Sequence, residues 1–487
     1  MPRGRYVPLP VRAMPKLCLR PALLVAIAAS GWAAAQPQVE PPEAAPPEVD
    51  PRDAAPPDSE ADAPEQALET IEPARQQFAV WYGHVESDNL ERTTGGAEGS
   101  YENVGLLLGL GHTSTRLEAS INADLEYRRY SLDTLDDETV GTLNAAADVD
   151  LVQDRFSWTF TDDYGQGITD PFSGLGPGNR EKVNVIATGP RITLPFGART
   201  SLEIRGTYSE RRFAESSQVD SDSLVSELGL YRQTSSTARF GLIARSNDVE
   251  YVDVIAPEYR IGRLALRYEK QLATGRVLAD LGTNEISATG FDRDEPLYDL
   301  VWTRSLTERS QLSVHATREL TDAGAVLGAA LVPGIEGSSF TDVVVTPNPL
   351  EQRRFGVSYV LTMSRTVVST EIGSWKDEYI GNPAYDNDST TLHASFVRTI
   401  SPRLTFGVSF DQIEREFADT VGAQPNGEDS WLSAWANRTL GRRFNLGAAI
   451  ASYERDGFES YEERRYELRF GYSPTDSGSA AMGSIGR

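Results

Sequence analysis

Apolar and polar residues alternate at every second position over most of the chain between Phe78 and Tyr472. In the stretch 117–128, the apolar set is Leu117, Ala119, Ile121, Ala123, Leu125 and Tyr127, and the polar set is Glu118, Ser120, Asn122, Asp124, Glu126 and Arg128. Only a β-strand, whose successive side chains point to opposite faces, separates two such sets. The segments 202–208 and 404–411 follow the same rule, and the pattern predicts an all-β chain.

The predicted strands have the length of membrane-crossing strands. They run for about 10 to 12 residues, whereas strands of globular sheets average about 5 to 6 and strands that cross a bilayer about 9 to 11. Short polar turns recur near positions 113, 154, 198, 236, 274, 308, 364, 401 and 441, mostly 34 to 44 residues apart. Each such interval holds two strands and one longer loop, the asymmetry typical of outer-membrane barrels.

Nine turns flanked by two strands each, with an opening strand at 76–86 and a closing strand at 461–473, predict a transmembrane antiparallel β-barrel of about 20 strands. Eighteen strands also fit, because the segments 183–195 and 296–305 alternate poorly. An even number of strands leaves both termini on the periplasmic side. The predicted location is the outer membrane of a Gram-negative cell.

Aromatic residues recur near the ends of the predicted strands, where rings settle in the headgroup regions of a bilayer. They are Trp81, Tyr82, Tyr127, Tyr130, Trp158, Tyr208, Tyr268, Trp302, Tyr359, Trp375, Trp431, Trp435 and Tyr453. The last strand alternates through Tyr466, Leu468, Phe470 and Tyr472, as barrel insertion signals do. This placement argues against the alternative of a water-soluble repeat protein.

Three further segments flank the predicted barrel, which occupies 76–473. Residues 1–35 resemble a signal peptide, since basic residues precede the apolar run 21–32 and Ala33-Ala34-Ala35 forms a cleavage site. Residues 36–75, rich in Pro, Ala and acidic residues, are predicted to be a disordered periplasmic linker. The Ser/Gly-rich stretch 474–487 is predicted to be a flexible C-terminal tail. The single cysteine, Cys18, lies in the leader.

Composition excludes two classes of protein. With 39% hydrophobic residues and a mean hydropathy of -0.37, the chain is not a polytopic helical membrane protein. Removing residues 1–35 takes away five basic and no acidic residues, so 41 basic and 71 acidic residues remain and the net charge becomes -30. That charge repels phosphates, and nucleic acid is excluded as a partner.

Motifs for catalysis or metal binding are absent from the sequence. His84, His112, His315 and His393 lie on different predicted elements without metal-ligand spacing, and there is no G-x-S-x-G elbow. We therefore predict no enzyme activity, no cofactor and no metal. The acidic clusters 133–138 and 292–295 are interpreted as solvated loop tips, with cation bridging to lipopolysaccharide as the alternative.

Charged residues of both signs fall on the polar face of the strands. Because charge facing lipid costs several kcal/mol, roughly 2 to 4 for Arg at mid-depth, these residues are predicted to face a hydrated lumen. The candidates are Glu118, Asp124, Glu126, Glu203, Arg205, Arg239, Arg245, Arg267, Glu269, Asp280 and Asp411, together with Glu467 and Arg469. The longest predicted loop, 321–351, either folds inward as a constriction or packs on the rim.

One stretch resembles a known envelope family. The residues that carry the resemblance are Asp170, Pro171, Phe172, Asn179, Arg180, Asn184, Gly189 and Pro190, followed by the segment Leu202 to Tyr208. They are similar to a pattern in outer-membrane β-barrels encoded with exosortase (PEP-CTERM) and exopolysaccharide systems. The resemblance implies a role in the synthesis or export of exopolysaccharide. The alternative is that the Pro and Gly residues only shape a turn.

The leading hypothesis is thus a wide, water-filled outer-membrane pore or scaffold for a secreted polysaccharide. Its partners would be outer-membrane lipid and lipopolysaccharide, with the exopolysaccharide and periplasmic export components implied by the resemblance. Two alternatives stay open at this point: a general diffusion porin for small solutes, and a non-conducting structural protein of the envelope.

Overall fold

The computed structural model of the chain describes residues 76–168, 176–252, 258–288, 291–322, 326, 341–344, 346–418, 427–457 and 460–474. The leader 1–35, the linker 36–75, Asp170 to Phe172 of the family-like stretch and all of the tail but residue 474 lie outside the described residues. Within the described part, no helix is long and apolar enough to cross a membrane.

Strands make up nearly all of the described chain. They are β1 Gln77–Ser87, β2 Gly99–Thr113, β3 Leu117–Tyr130, β4 Glu138–Val152, β5 Phe156–Ile168, β6 Arg180–Pro195, β7 Thr200–Phe213, β8 Ser221–Ser235, β9 Ala238–Tyr251, β10 Tyr259–Leu272, β11 Gly275–Ala288, β12 Phe291–Thr307, β13 Ser310–Asp322, β14 Thr341–Val344, β15 Pro349–Met363, β16 Thr366–Tyr379, β17 Asn387–Ser401, β18 Leu404–Phe417, β19 Gly427–Leu440, β20 Phe444–Asp456 and β21 Tyr461–Tyr472.

Twenty of these strands form one closed antiparallel barrel. Each long strand pairs with the next along the chain, and β13 pairs with β15 because the short β14 lies outside the ring. The first and last strands close the circle, from Val80 opposite Tyr472 to Ser87 opposite Arg465. The predicted fold class is confirmed, and the weakly alternating segments 183–195 and 296–305 belong to strands β6 and β12, so the count is twenty.

The two ends of the barrel differ in their connections. All nine predicted turns are present as connections of two to four residues, from 114–116 to 441–443. Most connections at the other end are longer, and the longest, 323–348, carries β14. We refer to these as the short-turn end and the long-loop end.

The pairing of β6 with β7 is interrupted in the middle of the strand. Its ladder with β7 runs to Thr188 opposite Tyr208 and resumes at Arg191 opposite Arg205, because Pro190 has no N–H to donate. At the gap, a Cβ on Gly189 would lie 1.8 Å from the carbonyl oxygen of Gly206, so only glycine fits. The idea that Gly189 and Pro190 shape a turn is wrong, because both lie inside a strand.

The inward face of each strand is identified by contacts between strands that are not neighbours. Arg469 on β21 reaches Glu126 on β3 at 3.2 Å, and Arg239 on β9 reaches Glu203 on β7 at 3.8 Å, which only the concave side of the wall allows. The alternate positions point outward and are apolar. Leu266 on β10, for example, is 65% exposed.

Aromatic residues divide between the two faces. Those on outward positions include Tyr82, Tyr127, Trp158, Tyr208 and Trp302, in agreement with headgroup girdles. Trp81, Tyr130, Trp375, Trp431, Trp435 and Tyr453 occupy inward positions instead, so their assignment to the girdles is wrong. The inward indoles of Trp81 and Trp435 lie over Gly105 and Gly407, where the missing Cβ leaves room for a ring.

The wall folds inward at the long-loop end. Pairing of β12 with β13 stops at Tyr298 opposite Arg318, although β13 continues to Asp322 and stays paired with β15. Beyond this point Leu320 packs on Ile286, and Asp322 accepts a hydrogen bond from Arg211 on β7 at 2.7 Å. We call residues 318–322 and 349–353 the infolded segment; it covers the inward face of β7 to β11.

The described parts of the longest connection contact strands far from β13 in the ring. It begins at Asp322, which contacts β7, and at its other end the hydroxyl of Tyr251 on β9 donates to the carbonyl oxygen of Pro347 at 2.7 Å. Between these points β14 pairs in parallel with the end of β5, eight strands from β13 in the ring. The two alternatives for this loop, an inward constriction and packing on the rim, both stay predictions, because residues 323–325 and 327–340 lie outside the described residues.

Candidate functional site: the lumen

All eleven candidate lumen charges, and Glu467 and Arg469, occupy inward positions of their strands. Several are brought together. Arg239 contacts both Glu203 and Glu269, Arg267 donates to Asp280 at 2.8 Å, and Arg469 contacts Glu126 and Glu467.

The lumen admits water. Asp124, Arg205 and Arg245 are exposed although they point inward. Val301 and Val360 also point inward and are each 37% exposed. Both lie in the half of the barrel nearer the short turns. An inward side chain is exposed only if protein atoms do not fill the space in front of it. The described part of the barrel therefore encloses a hydrated space beneath the infolded segment.

Buried ion pairs brace the wall at the barrel seam and on the side opposite it. The Asp280 carboxylate is fully buried and is held by Arg263 and Arg267. Near the long-loop end, Arg92 from the β1–β2 loop donates to Glu463 at 2.7 Å. Burial by itself would lower the pKa of Arg92, but the Glu463 carboxylate outweighs it, and the pKa lies well above its ordinary value.

The described family-like residues have structural roles. Arg180 begins β6 and pairs with Glu138 on β4 at 3.1 Å. Asn179 ends a short 3-10 turn, and Asn184 is an outward residue beside Asp162. Asn179, Arg180, Asn184, Gly189 and Pro190 do not present an exposed side chain to the hydrated space, whereas Arg205 of the following segment 202–208 does.

A row of serines crosses four neighbouring strands on the inward face. Ser369, Ser395, Ser409 and Ser433 stand opposite one another on β16 to β19. The hydroxyls of Ser369 and Ser395 are 2.5 Å apart, and those of Ser409 and Ser433 are 2.7 Å apart. On β19, Trp431 and Trp435 flank Ser433 on the same face.

The indole of Trp435 lies directly over the backbone of Gly407, because a Cβ there would be 2.4 Å from the ring. One face of the ring therefore meets the wall and the other meets the lumen. Hydroxyls beside an open aromatic face form a surface that suits carbohydrate, whose hydroxyls need hydrogen bonds and whose C–H faces pack on rings. Ser433 and Trp431 are only 2% and 9% exposed and lie within the wall. We call the partly exposed residues Ser369, Ser395, Ser409 and Trp435 the serine–tryptophan patch.

A row of arginines crosses the opposite wall. Arg191, Arg205, Arg245 and Arg263 occupy one line of cross-strand partners on β6, β7, β9 and β10, with Glu227 of β8 between Arg205 and Arg245. We call these five residues the arginine row. Strands β7 and β18 are ten positions apart in the ring of twenty, so the arginine row and the serine–tryptophan patch lie on opposite sides of the lumen.

One predicted charge, Asp411, meets a histidine that sequence spacing left isolated. The Nδ1 atom of His393 on β17 is 2.6 Å from Asp411 Oδ1 on β18, and Glu371 is the cross-strand partner of His393 on β16. Within the described residues, no group of three or more His, Cys, Asp or Glu side chains is arranged to hold a metal ion.

The four residues of the insertion signal, Tyr466, Leu468, Phe470 and Tyr472, all lie on the outward face of β21. Phe470 stacks on Phe444 of β20, with ring centroids 5.6 Å apart. The closing strand therefore presents an aromatic stripe to the surroundings of the barrel.

Neither a protein-family model nor a curated protein matches the sequence. The structure is similar to OccK2 (OpdF) of Pseudomonas aeruginosa in complex with glucuronate, at 13% identity and a TM-score of 0.35, covering 82% of this chain and 98% of that one. It is also similar to OpdK of Pseudomonas aeruginosa (11%, 0.34, 81% and 98%) and to the FrpB iron transporter of Neisseria meningitidis (8%, 0.41, 82% and 81%). At these identities and TM-scores, the similarity concerns the fold alone.

Sequence reasoning missed both rows. Each serine and each arginine is visible as a polar residue at an alternate position, but alternation gives only the face. Their meeting depends on the register between neighbouring strands, which follows from the lengths of nine turns and several long loops. The position of Trp435 over Gly407 also follows from register, because the two residues meet only when β18 and β19 are paired.

Proposed function

We propose that this chain is an outer-membrane channel for carbohydrate, associated with the synthesis or export of an exopolysaccharide. The observation that carries the proposal is the serine–tryptophan patch, in which the partly exposed indole of Trp435 lies near partly exposed serine hydroxyls on the inward face. The channel function requires no catalytic residue.

An outer-membrane location is supported by the outward face. Large apolar side chains such as Leu266 and Leu281, 65% and 63% exposed, recur around the ring. Soluble monomers rarely expose contiguous apolar patches larger than a few hundred Å². A closed barrel satisfies all its strand hydrogen bonds internally, as a hydrocarbon environment demands.

A secreted polysaccharide is supported by the width of the ring and by the sequence resemblance. Barrels of about 16 to 18 strands already enclose an aqueous channel, and this one has twenty strands. A ring of this width suits a hydrated sugar chain.

A second candidate is a channel for small sugars or sugar acids. The observation that favours it is the long-loop end, where the infolded segment and β14 narrow the mouth. A polymer needs this mouth to open, whereas a small solute needs only a gap beside β14.

Planar-bilayer recordings test the carbohydrate channel. We expect purified protein to conduct ions and a neutral hexasaccharide to reduce the current. Trp435→Ala should weaken that block by about tenfold, which corresponds to ~1.4 kcal/mol. Trp302→Ala is the control, because Trp302 lies on an outward position. A block unchanged in Trp435→Ala, or no conductance at all, contradicts the proposal.

Deletion of the gene separates the two candidates. A polysaccharide exporter predicts polymer retained inside the cells of the deletion strain. A small-solute channel predicts normal secretion together with slower uptake of sugars.

A further inference from the structure

The arginine row contains two guanidinium groups that the protein itself leaves open. Arg191 pairs with Asp148 at 3.1 Å, and Arg263 pairs with Asp280 and Glu319. Within the described residues, Arg205 and Arg245 have no hydrogen bond and no ion-pair partner within 4.0 Å. Both are exposed to the hydrated lumen.

Two carboxylates lie near these groups without forming an ion pair with them. Glu227 is the cross-strand neighbour of both Arg205 and Arg245, and Glu319 of the infolded segment, which pairs with Arg263, also acts electrostatically on Arg245. An inward cation in a membrane barrel is stabilised by a counter-charge or by water. A solute with one carboxylate would complete the Arg–Glu–Arg line and replace water at both guanidinium groups.

We propose that Arg205 and Arg245 bind the carboxylate of an acidic sugar in the lumen. The sugar part of this proposal rests on the proposed carbohydrate function, and the acid part rests on the arginine row. Guanidinium groups bind carboxylates through two parallel N–H···O bonds, which gives geometric preference over a point charge. The serine–tryptophan patch on the opposite wall would contact the sugar rings of an oligomer, while the arginine row holds its acid groups.

Calorimetric titration of the full-length protein in detergent tests the site without requiring conductance. The probes are trigalacturonate, its uncharged methyl ester and monomeric galacturonate. We expect the acid trimer to bind at least tenfold more tightly than the ester. The double variant Arg205→Gln/Arg245→Gln should lose at least tenfold in affinity for the acid and bind the ester as the wild type does.

Two further variants control for folding and for charge. Arg232→Gln removes the same charge from an outward position of β8 and should bind the acid like the wild type. Arg205→Lys/Arg245→Lys keeps both charges and should recover part of the lost affinity, which a misfolded barrel could not do. Monomeric galacturonate distinguishes the source of the acid: binding equal to that of the trimer points to free sugar acids, and much weaker binding to a polymer.

The outcomes separate the two proposals. Equal binding of acid and ester by the wild type, or full affinity in the double glutamine variant, overturns the arginine site and leaves the carbohydrate function standing. Failure of all three carbohydrates to bind overturns both.

Discussion

At the scale of single residues, glycines decide where large inward side chains can lie. Gly407 stands opposite Trp435, and its hydrogen in place of a Cβ lets the indole rest on the wall. The same device places Trp81 over Gly105 and His315 over Gly356. A strand glycine weakens the strand itself, so its presence here reflects the ring that covers it.

Gly407→Ala should therefore destabilise the barrel and displace Trp435. The added methyl would meet the ring at 2.4 Å, and overpacking of this kind costs about 1–3 kcal/mol. Gly262→Ala is the matched control, because the nearest atoms to its Cβ are 3.9 Å away. Urea unfolding in lipid vesicles, followed by tryptophan fluorescence, measures the difference. Equal stability of the two variants would show that Trp435 does not depend on Gly407.

The lumen residues show how much the sequence predicts about single side chains. The faces of Glu203, Arg245 and Asp280 follow from the period of two. The partners of these residues do not, because Arg239 with Glu203 and Arg263 with Asp280 join positions far apart in the sequence. Aromatic residues near strand ends were predicted to lie in the girdles whichever face of the strand they occupy. Trp431 and Tyr453 instead point inward and pack on each other with ring centroids 4.2 Å apart. The face of the strand therefore decides whether an aromatic side chain can reach the headgroups.

At the scale of elements, regular strands and short turns were predictable, and the irregular long-loop end was not. The nine turns are local features of composition, whereas the infolded segment depends on contacts such as Leu320 with Ile286 between distant parts of the chain. The apolar content of the long connection suggested that it would pack on something. Its destination at β5 required the three-dimensional structure.

The connection 323–348 should limit the conductance of the barrel. Replacing residues 323–346 with a short Gly/Ser linker removes β14, and we expect single-channel conductance to rise severalfold because β14 would no longer narrow the mouth of the barrel. Shortening the connection 418–426, which joins the neighbouring strands β18 and β19, is the control and should leave conductance near that of the wild type. An unchanged conductance in the first variant would mean that current passes beside β14 without restriction.

At the scale of the whole molecule, the two ends carry different chemistry. Seven of the nine short turns contain arginine: Arg116, Arg155, Arg199, Arg309, Arg365, Arg403, and the pair Arg442 and Arg443. Guanidinium groups at headgroup level suit the phosphates of a phospholipid leaflet. The predicted orientation places the short-turn end and both termini on the periplasmic side.

Cysteine labelling of intact cells tests that orientation. The only native cysteine, Cys18, lies in the predicted leader, so an introduced cysteine can be read without background. A membrane-impermeant maleimide added outside should label Asp133→Cys, at the long-loop end, and should leave Ser236→Cys, in a short turn, unlabelled until the outer membrane is permeabilised. Labelling of Ser236→Cys alone would show that the barrel has the opposite orientation.

Closure between β1 and β21 makes assembly all-or-none at its last step. Until the final strand arrives, β1 and β20 each present a row of free N–H and C=O groups, and in hydrocarbon every such group costs several kcal/mol. The seam joins residues nearly four hundred positions apart in the sequence. Removing β21 alone would leave β1 and β20 as two unpaired edges, and each could pair with strands from other chains.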